Sequence, residues 1–228
     1  MRTHDVQGIS AIVPAYNEEK TILAVVRKLE RHPLIDEVIV VNDGSTDGTA
    51  RKAAKTSAVV INLAQNKGKG EAMAEGVARA RFGTLLFVDA DLVGLTDNMI
   101  TMLIRSVESG RYDMFTLVRD RKTETFQMHL SSTYVVGGER ALKRTLWDIV
   151  PAEDRSGFGV EMALNYYAQK HNMNIGHALA PGLKQVAKER KRGLMRGLTM
   201  RAVMFGEVMY AVCKLHVLRR EGKNFRTA

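Results

Sequence analysis

Four short apolar runs alternate with amphipathic stretches over the first hundred residues. Residues 9–14, 37–42, 58–63 and 84–88 are rich in Ile, Val, Leu, Ala and Phe. Between the first two, apolar side chains recur at Ile22, Val25, Val26 and Leu29, a helical spacing that predicts a helix over 18–32. Residues 46–55, 69–81 and 97–109 read as further helices. The strand runs are apolar throughout rather than alternating, the pattern of strands buried on both faces. Strand and helix in alternation predict an α/β domain with a mostly parallel central sheet and helices on both faces. The later chain is less regular. Strands are expected at 114–118, 132–136 and 175–180, and helices at 139–147 and 159–171. A basic stretch over 184–193 leads into a long amphipathic helix at 194–218. With no repeat and no Pro- or Ser-rich linker, the pattern divides into one domain over 1–183 and a basic helical extension over 184–228.

A chain of 228 residues supports one full-sized core. The single cysteine, Cys213, excludes an intramolecular disulfide and a cysteine-based zinc site, and suits a reducing compartment. Lys and Arg number 34 against 25 Asp and Glu, a net charge of +9, which favours an anionic partner. The opening residues MRTHDVQG have no apolar core, so no signal peptide is expected. No run reaches the roughly 18 apolar residues of a membrane-spanning helix.

Polar and glycine residues follow each of the four apolar runs. Pro14, Ala15, Tyr16, Asn17 and Glu18 close the first, and Asn42-Asp43-Gly44-Ser45-Thr46-Asp47-Gly48 the second. Asn66-Lys67-Gly68-Lys69-Gly70 follows the third, and Asp89-Ala90-Asp91 closes the fourth. Each alone has the chemistry of an ordinary turn or cap. In open α/β sheets, however, ligands bind beyond the carboxyl ends of the strands, so four such ends mark one shared site. Asp89 and Asp91 are the most informative. Two carboxylates this close repel, the more so when buried. A divalent cation relieves that repulsion, and oxygen ligands suit Mg²⁺ or Mn²⁺, which also bind phosphate. The other reading is one structural aspartate and one helix N-cap.

Taken together these pieces resemble the family 2 glycosyltransferases, with their nucleotide-diphospho-sugar transferase (GT-A type) fold. The matching segments are Ile12 to Glu18, Val41 to Thr49, Asn66 to Ala72, and Asp89-Ala90-Asp91. Within that family the chain looks most like the dolichol- or polyprenyl-phosphate mannosyltransferase branch. The loose match there is Gly137-Gly138-Glu139-Arg140-Ala141-Leu142 and Gly157-Phe158-Gly159-Val160-Glu161-Met162. The resemblance implies a nucleotide-sugar half over about 9–92 and an acceptor half over about 93–183. It implies that Pro14, Ala15, Tyr16 and Glu18 line the base and ribose pocket and that Asp43 contacts the base. It places Lys69 and Gly70 near base and ribose, Asp89 and Ala90 at the ribose or a metal-bound water, and Asp91 on the metal. Two departures stand out. The branch often continues its acidic motif to a glutamine that helps the metal, and here that position is Val93. Its histidine–arginine pair near the acceptor corresponds here to Lys188-Glu189-Arg190-Lys191-Arg192-Gly193, basic but without histidine.

Four basic residues are candidates for binding an acceptor phosphate: Arg119, Arg121, Lys188 and Arg190. A solvated charged loop is the plainer reading of the first two. Glu161 is a candidate to meet the acceptor or metal, or a helix-surface acid. Glu153-Asp154 resembles the acidic pair that serves as base in family members using hydroxyl acceptors, which makes Asp154 and Glu161 candidate bases. His177 is a candidate metal ligand, although a lone histidine is more often structural. In the extension, Leu194, Leu198, Phe205, Met209, Val212 and Leu215 recur at helical spacing among Arg196, Arg201, Lys214, Arg219 and Arg220. Such a helix lies on an anionic membrane surface, or packs on its own domain or in a homodimer.

The expected activity is metal-dependent glycosyl transfer, with inversion, from a UDP- or GDP-sugar to polyprenyl or dolichyl phosphate on the cytoplasmic face of a membrane. The alternative keeps the donor and uses a soluble or sugar-hydroxyl acceptor with Asp154 or Glu161 as base. A nucleotidyltransferase would carry a glycine-rich loop after the first strand, where residues 14–18 have no glycine. A non-catalytic sugar-nucleotide-binding module has no need of both Asp89 and Asp91. Nucleic acid is not expected, since no recognition fold or aromatic platform accompanies the charge.

Overall fold

The computed structural model describes residues 6–119 and 137–186. Its strands are β1 (Ile9–Ala15), β2 (Glu37–Asn42), β3 (Val59–Asn62), β4 (Thr84–Phe87), β5 (Leu92–Val93), β6 (Met114–Arg119), β7 (Arg140–Lys143), β8 (Ile175–Ala180) and β9 (Lys184–Gln185). Its helices are α1 (Ile22–Glu30), α2 (Thr49–Ala53), α3 (Lys69–Arg79), α4 (Asp97–Glu108), α5 (Arg144–Ile149) and α6 (Val160–Lys170). Short 3₁₀ turns at Ala152–Asp154 and Gly157–Gly159 join α5 to α6. The strand expected at 132–136, the helix expected at 194–218, and Arg121, Lys188 and Arg190 lie outside the described residues.

Seven strands form one sheet in the order β3-β2-β1-β4-β7-β6-β8. β3, β2, β1 and β4 run parallel, β7 is antiparallel to both β4 and β6, and β8 is parallel to β6. This is the mostly parallel α/β sheet of the GT-A type. The continuous apolar runs feed two cores because successive strand residues point to opposite faces. From β2, Val38 and Val40 join α1, α2 and α4 on one face, while Ile39 and Val41 join α3, α5 and α6 on the other.

The helix expected over 139–147 divides. Its first part is β7, and the helix starts only at Arg144. Ala141 packs into one core and Leu142 into the other, a period of two that a short apolar run does not reveal on its own. The open edge of β4 supplies the reason, since Leu85 and Leu86 need ladder partners and find them in Leu142 and Ala141. The helix expected from residue 18 begins at Ile22, after a turn in which Thr21 and Ile22 donate to the Glu18 carbonyl.

A second, two-stranded sheet pairs β5 with β9, setting Leu92 opposite Gln185 and Val93 opposite Lys184. Residues 184–186 are thus laddered onto the main domain, where the sequence pattern starts the extension.

Candidate active site

Because β1, β2 and β4 are parallel neighbours, the segments that leave them emerge at one edge of the sheet. The first two are stitched together. Asn17 adopts a left-handed backbone (φ 56°), and its side-chain oxygen accepts from the Thr46 amide at 2.8 Å. Its own amide donates to Ser45 Oγ at 2.9 Å. The Glu18 amide donates to Thr49 Oγ1 at 2.8 Å, and the Gly48 amide to Glu19 Oε2 at 3.0 Å. Pro14 and Ala15 form the end of β1, Tyr16 follows half-buried, and Glu18 is buried behind the stitch.

The Asp43 carboxylate faces the loop before α3. It accepts from the Lys67 amide (2.7 Å), the Gly68 amide (2.9 Å) and Asn66 Nδ2 (2.9 Å). A carboxylate has about four acceptor sites, so roughly one is left for a base. Sequence reading gives Asp43 a direct base contact, whereas the structure gives it the shape of the loop first.

Asp89 and Asp91 follow β4 and are buried, 9% and 4% exposed. Lys69, which the resemblance puts near base and ribose, is the first residue of α3 and reaches Asp89. Its ammonium lies 2.8 Å from Asp89 Oδ1 and 2.6 Å from Glu161 Oε1. Burial alone would push Lys69 toward losing its proton, but Asp89 and Glu161 outweigh this and hold the group above the ordinary lysine range. Gln185 Nε2 lies 3.2 Å from Asp89 Oδ2. The departure at Val93 thus has a counterpart, since the strand paired with Val93 brings a glutamine to the acidic pair. Ala90 is buried between the two aspartates.

Glu161, on α6, is a buried, paired acid rather than a surface one. Besides Lys69 it has the fully buried Arg140 guanidinium at 3.7 Å, which also donates to the Gly137 carbonyl at 2.6 Å. Asp154 accepts from Tyr167 Oη at 2.8 Å. Both candidate bases therefore have partners, Glu161 two cations and Asp154 the Tyr167 hydroxyl. Gly70 packs against the Arg155 carbonyl so closely that a Cβ would collide with it, which seats α3 on the segment carrying Asp154. Arg119 ends β6, partly buried, and its positive charge attracts the Glu139 carboxylate. His177 sits on the edge strand β8 opposite Thr116, and no group of three His, Cys, Asp or Glu side chains is set to hold a metal among the described residues.

Three members of the site go unassigned in the sequence reading: Glu139, Arg140 and Gln185. Glu139 is fully buried with neither carboxylate oxygen hydrogen-bonded. Burial, reinforced by Asp89, pushes its carboxyl up to about 8 against the pull of Arg119 and Lys69. The available signal for Glu139 and Arg140 is two adjacent charged residues directly after Gly137-Gly138. Gln185 offers no local signal, because its place depends on a ladder to a distant strand.

The acidic pair fits a divalent cation. Its donors are hard carboxylate oxygens, a lysine ammonium already stands at Asp89 as a cation, and Gly138 leaves a cradle that a Cβ would fill by striking the Asp89 carboxylate.

Comparison with known proteins agrees with this geometry. The model of the family described as "Glycosyl transferase family 2" matches residues 10–166, more than half of the chain. The 4,4'-diaponeurosporenoate glycosyltransferase of Staphylococcus aureus (strain USA300) is 35% identical over 107 residues, which cover 45% of this chain and 28% of that protein. The chain thus matches well under a third of that relative's length. Glucosyl-3-phosphoglycerate synthase from Mycobacterium tuberculosis superposes with a TM-score of 0.78 at 23% identity, covering 93% of this chain and 80% of that one. That structure was solved in complex with Mn²⁺, uridine diphosphate and phosphoglyceric acid, and another of the same enzyme with Mg²⁺ and uridine diphosphate. Neither relative is a polyprenyl-phosphate mannosyltransferase, so the family rests on its matching model, the superposition shows the fold, and neither points to that branch.

Proposed function

Because the chain belongs to glycosyl transferase family 2, we propose that this glycosyltransferase moves a sugar from a nucleoside-diphosphate donor to an anionic acceptor oxygen. The observation that carries the reading is the buried Asp89–Asp91 pair, with Asp89 bridged by Lys69 to Glu161, at the sheet edge where the strand-end loops meet. The donor nucleoside lies along the stitched loops after β1 and β2, beside Tyr16 and the loop that Asp43 holds. The diphosphate faces the acidic pair. Asp91 and Asp89 would hold Mg²⁺ or Mn²⁺ there, and the ion supplies charge neutralisation for the diphosphate.

In the transfer, an acceptor oxygen bonds to the anomeric carbon as the bond from that carbon to the diphosphate breaks. The nucleoside diphosphate leaves with the electron pair. Lys69, in contact with Asp89, is the protein cation placed to meet the charge that develops. An acceptor that arrives as phosphate or carboxylate has no proton to give up, which accords with Glu161 and Asp154 being engaged.

An anionic acceptor is the chemistry common to the phosphoglyceric acid and diaponeurosporenoate in the relatives' names. Within that class polyprenyl phosphate, presented at an anionic membrane surface by the basic segment 184–228, is the acceptor we propose. Among the described residues no helix is long and apolar enough to cross a membrane. The test is a panel of UDP- and GDP-sugars with Mn²⁺ or EDTA, each offered polyprenyl phosphate, phosphoglycerate and a neutral sugar. Transfer only to the neutral sugar would overturn the acceptor class. No binding of any nucleotide-sugar would overturn the reading altogether.

A further inference from the structure

The Lys69 ammonium stands on Asp89, one of the two acids that would hold a divalent cation. The ammonium is 2.8 Å from Oδ1, while Gln185 Nε2 is 3.2 Å from Oδ2, so both oxygens of this carboxylate already face donors. The ammonium is held in place from behind by Glu161 at 2.6 Å, and Glu161 in turn by Arg140 at 3.7 Å. A metal ion on Asp89 would share that oxygen with a positive charge in contact with it. Two cations cannot both stay there without strong repulsion in so buried a setting. An ammonium has three donors, and two of those of Lys69 are engaged by carboxylates. Released from Asp89 while still held by Glu161, Lys69 can turn its donors to a phosphate oxygen.

We propose that Lys69 is an internal counter-ion that competes with the metal for Asp89 and passes to the donor diphosphate as metal and nucleotide load together. Metal alone then binds weakly, nucleotide alone binds weakly, and each strengthens the other. This rests on the donor reading above, yet its central consequence concerns the metal alone and needs no turnover.

The experiment is titration of the full chain with Mn²⁺, followed by the electron paramagnetic resonance of free Mn²⁺, with and without UDP or GDP. Lys69→Met removes the competing charge and keeps the side chain's length. It is expected to bind Mn²⁺ without nucleotide about tenfold tighter than the wild type, the scale on which one neighbouring charge shifts a carboxylate's equilibrium. The strengthening of Mn²⁺ binding by nucleotide, and by reciprocity of nucleotide binding by Mn²⁺, shrinks by a similar factor. Lys69→Arg, which keeps the charge, retains weak Mn²⁺ binding. Should Lys69→Met fail to fold, Lys69→Gln carries the same expectation. Mn²⁺ binding to the neutral variants that is equal to or weaker than wild type overturns the proposal. If neither UDP nor GDP strengthens Mn²⁺ binding in the wild type, the donor reading fails instead, whatever the variants do.

Discussion

The backbone at Gly138 runs against the Asp89 carboxylate, so closely that a Cβ there would overlap its carbon and both its oxygens. Gly138→Ala must therefore displace the carboxylate from Lys69 and Gln185 or push β7 away. Overpacking of this kind costs about 1–3 kcal/mol. We expect turnover and Mn²⁺ affinity to fall together, with only a modest drop in melting temperature. A variant that transfers sugar at the wild-type rate would show that Asp89 is free to move, and the cradle would have no role.

Asp91→Asn keeps the shape of the second acid and removes its charge. The fold should survive and most metal-dependent turnover should be lost, as read by circular dichroism and a transfer assay. Full activity in this variant, or in the wild type with excess EDTA, excludes the metal role of the pair.

Asp43→Ala strips the loop at 66–68 of the acceptor for two backbone amides and the Asn66 side chain. Leaving such groups unsatisfied costs about 1–3 kcal/mol. Donor affinity, measured by calorimetry with a nucleoside diphosphate, is expected to fall by that amount. Amide exchange at Lys67 and Gly68 should accelerate. Unchanged exchange would mean that the loop keeps its form without Asp43.

Glu139 makes stability depend on pH in a defined direction. Its carboxyl is raised from the ordinary 4.5 to about 8, so between those values the folded chain holds a proton that the unfolded chain has released. This contribution is complete below pH 4.5 and is lost as pH climbs through 8, at up to about 1.4 kcal/mol per pH unit. Urea denaturation at pH 5, 6, 7 and 8 should show that decline in the wild type and a flatter profile in Glu139→Gln. Parallel profiles would place the ionisation elsewhere.

The basic extension makes a separate prediction about location. Flotation with anionic liposomes should recover the protein at low salt. Recovery should fall with added salt and drop when Arg190, Lys191 and Arg192 are changed to glutamine, each charge contributing about 1 kcal/mol. A protein that stays with the soluble fraction favours a soluble acceptor and leaves the apolar positions of residues 194–218 to domain or dimer packing.

The donor half is legible in the sequence because its central strands β1, β2 and β4 are buried on both faces, whereas the apolar run of the edge strand β3 is only partly buried. Val38, Ile39, Val40 and Val41 supply two cores from one run, and an unbroken apolar stretch states that directly. The polar residues after each run then have only the sheet edge to occupy. β7 is hidden because Arg140 and Lys143 enclose just two apolar residues, too few for a period to show. The partners of the acidic side chains are hidden for a related reason. Residue type identifies Asp43, Lys69 and Glu161 as chemically important, but not whom they face. Asp43 faces backbone amides, while Lys69 faces two acids from distant elements. Gln185 reaches Asp89 through a ladder joining residues far apart in sequence, and no spacing rule could bring it there.

The place of β7 in the sheet also orders events in time. β4 pairs on one side with β1, already made, but on the other it waits for a strand that follows α4 and β6. During synthesis the N-terminal part of the chain emerges first. Until Arg140 arrives opposite Phe87, the emerging chain carries an open hydrogen-bonding edge in what will become the middle of its sheet. Lys69 then has Asp89 beside it but not yet Glu161. A chain stopped before residue 140 would keep that edge exposed, a template for a strand from a neighbouring copy. Loss of the later segment therefore threatens solubility before it threatens catalysis.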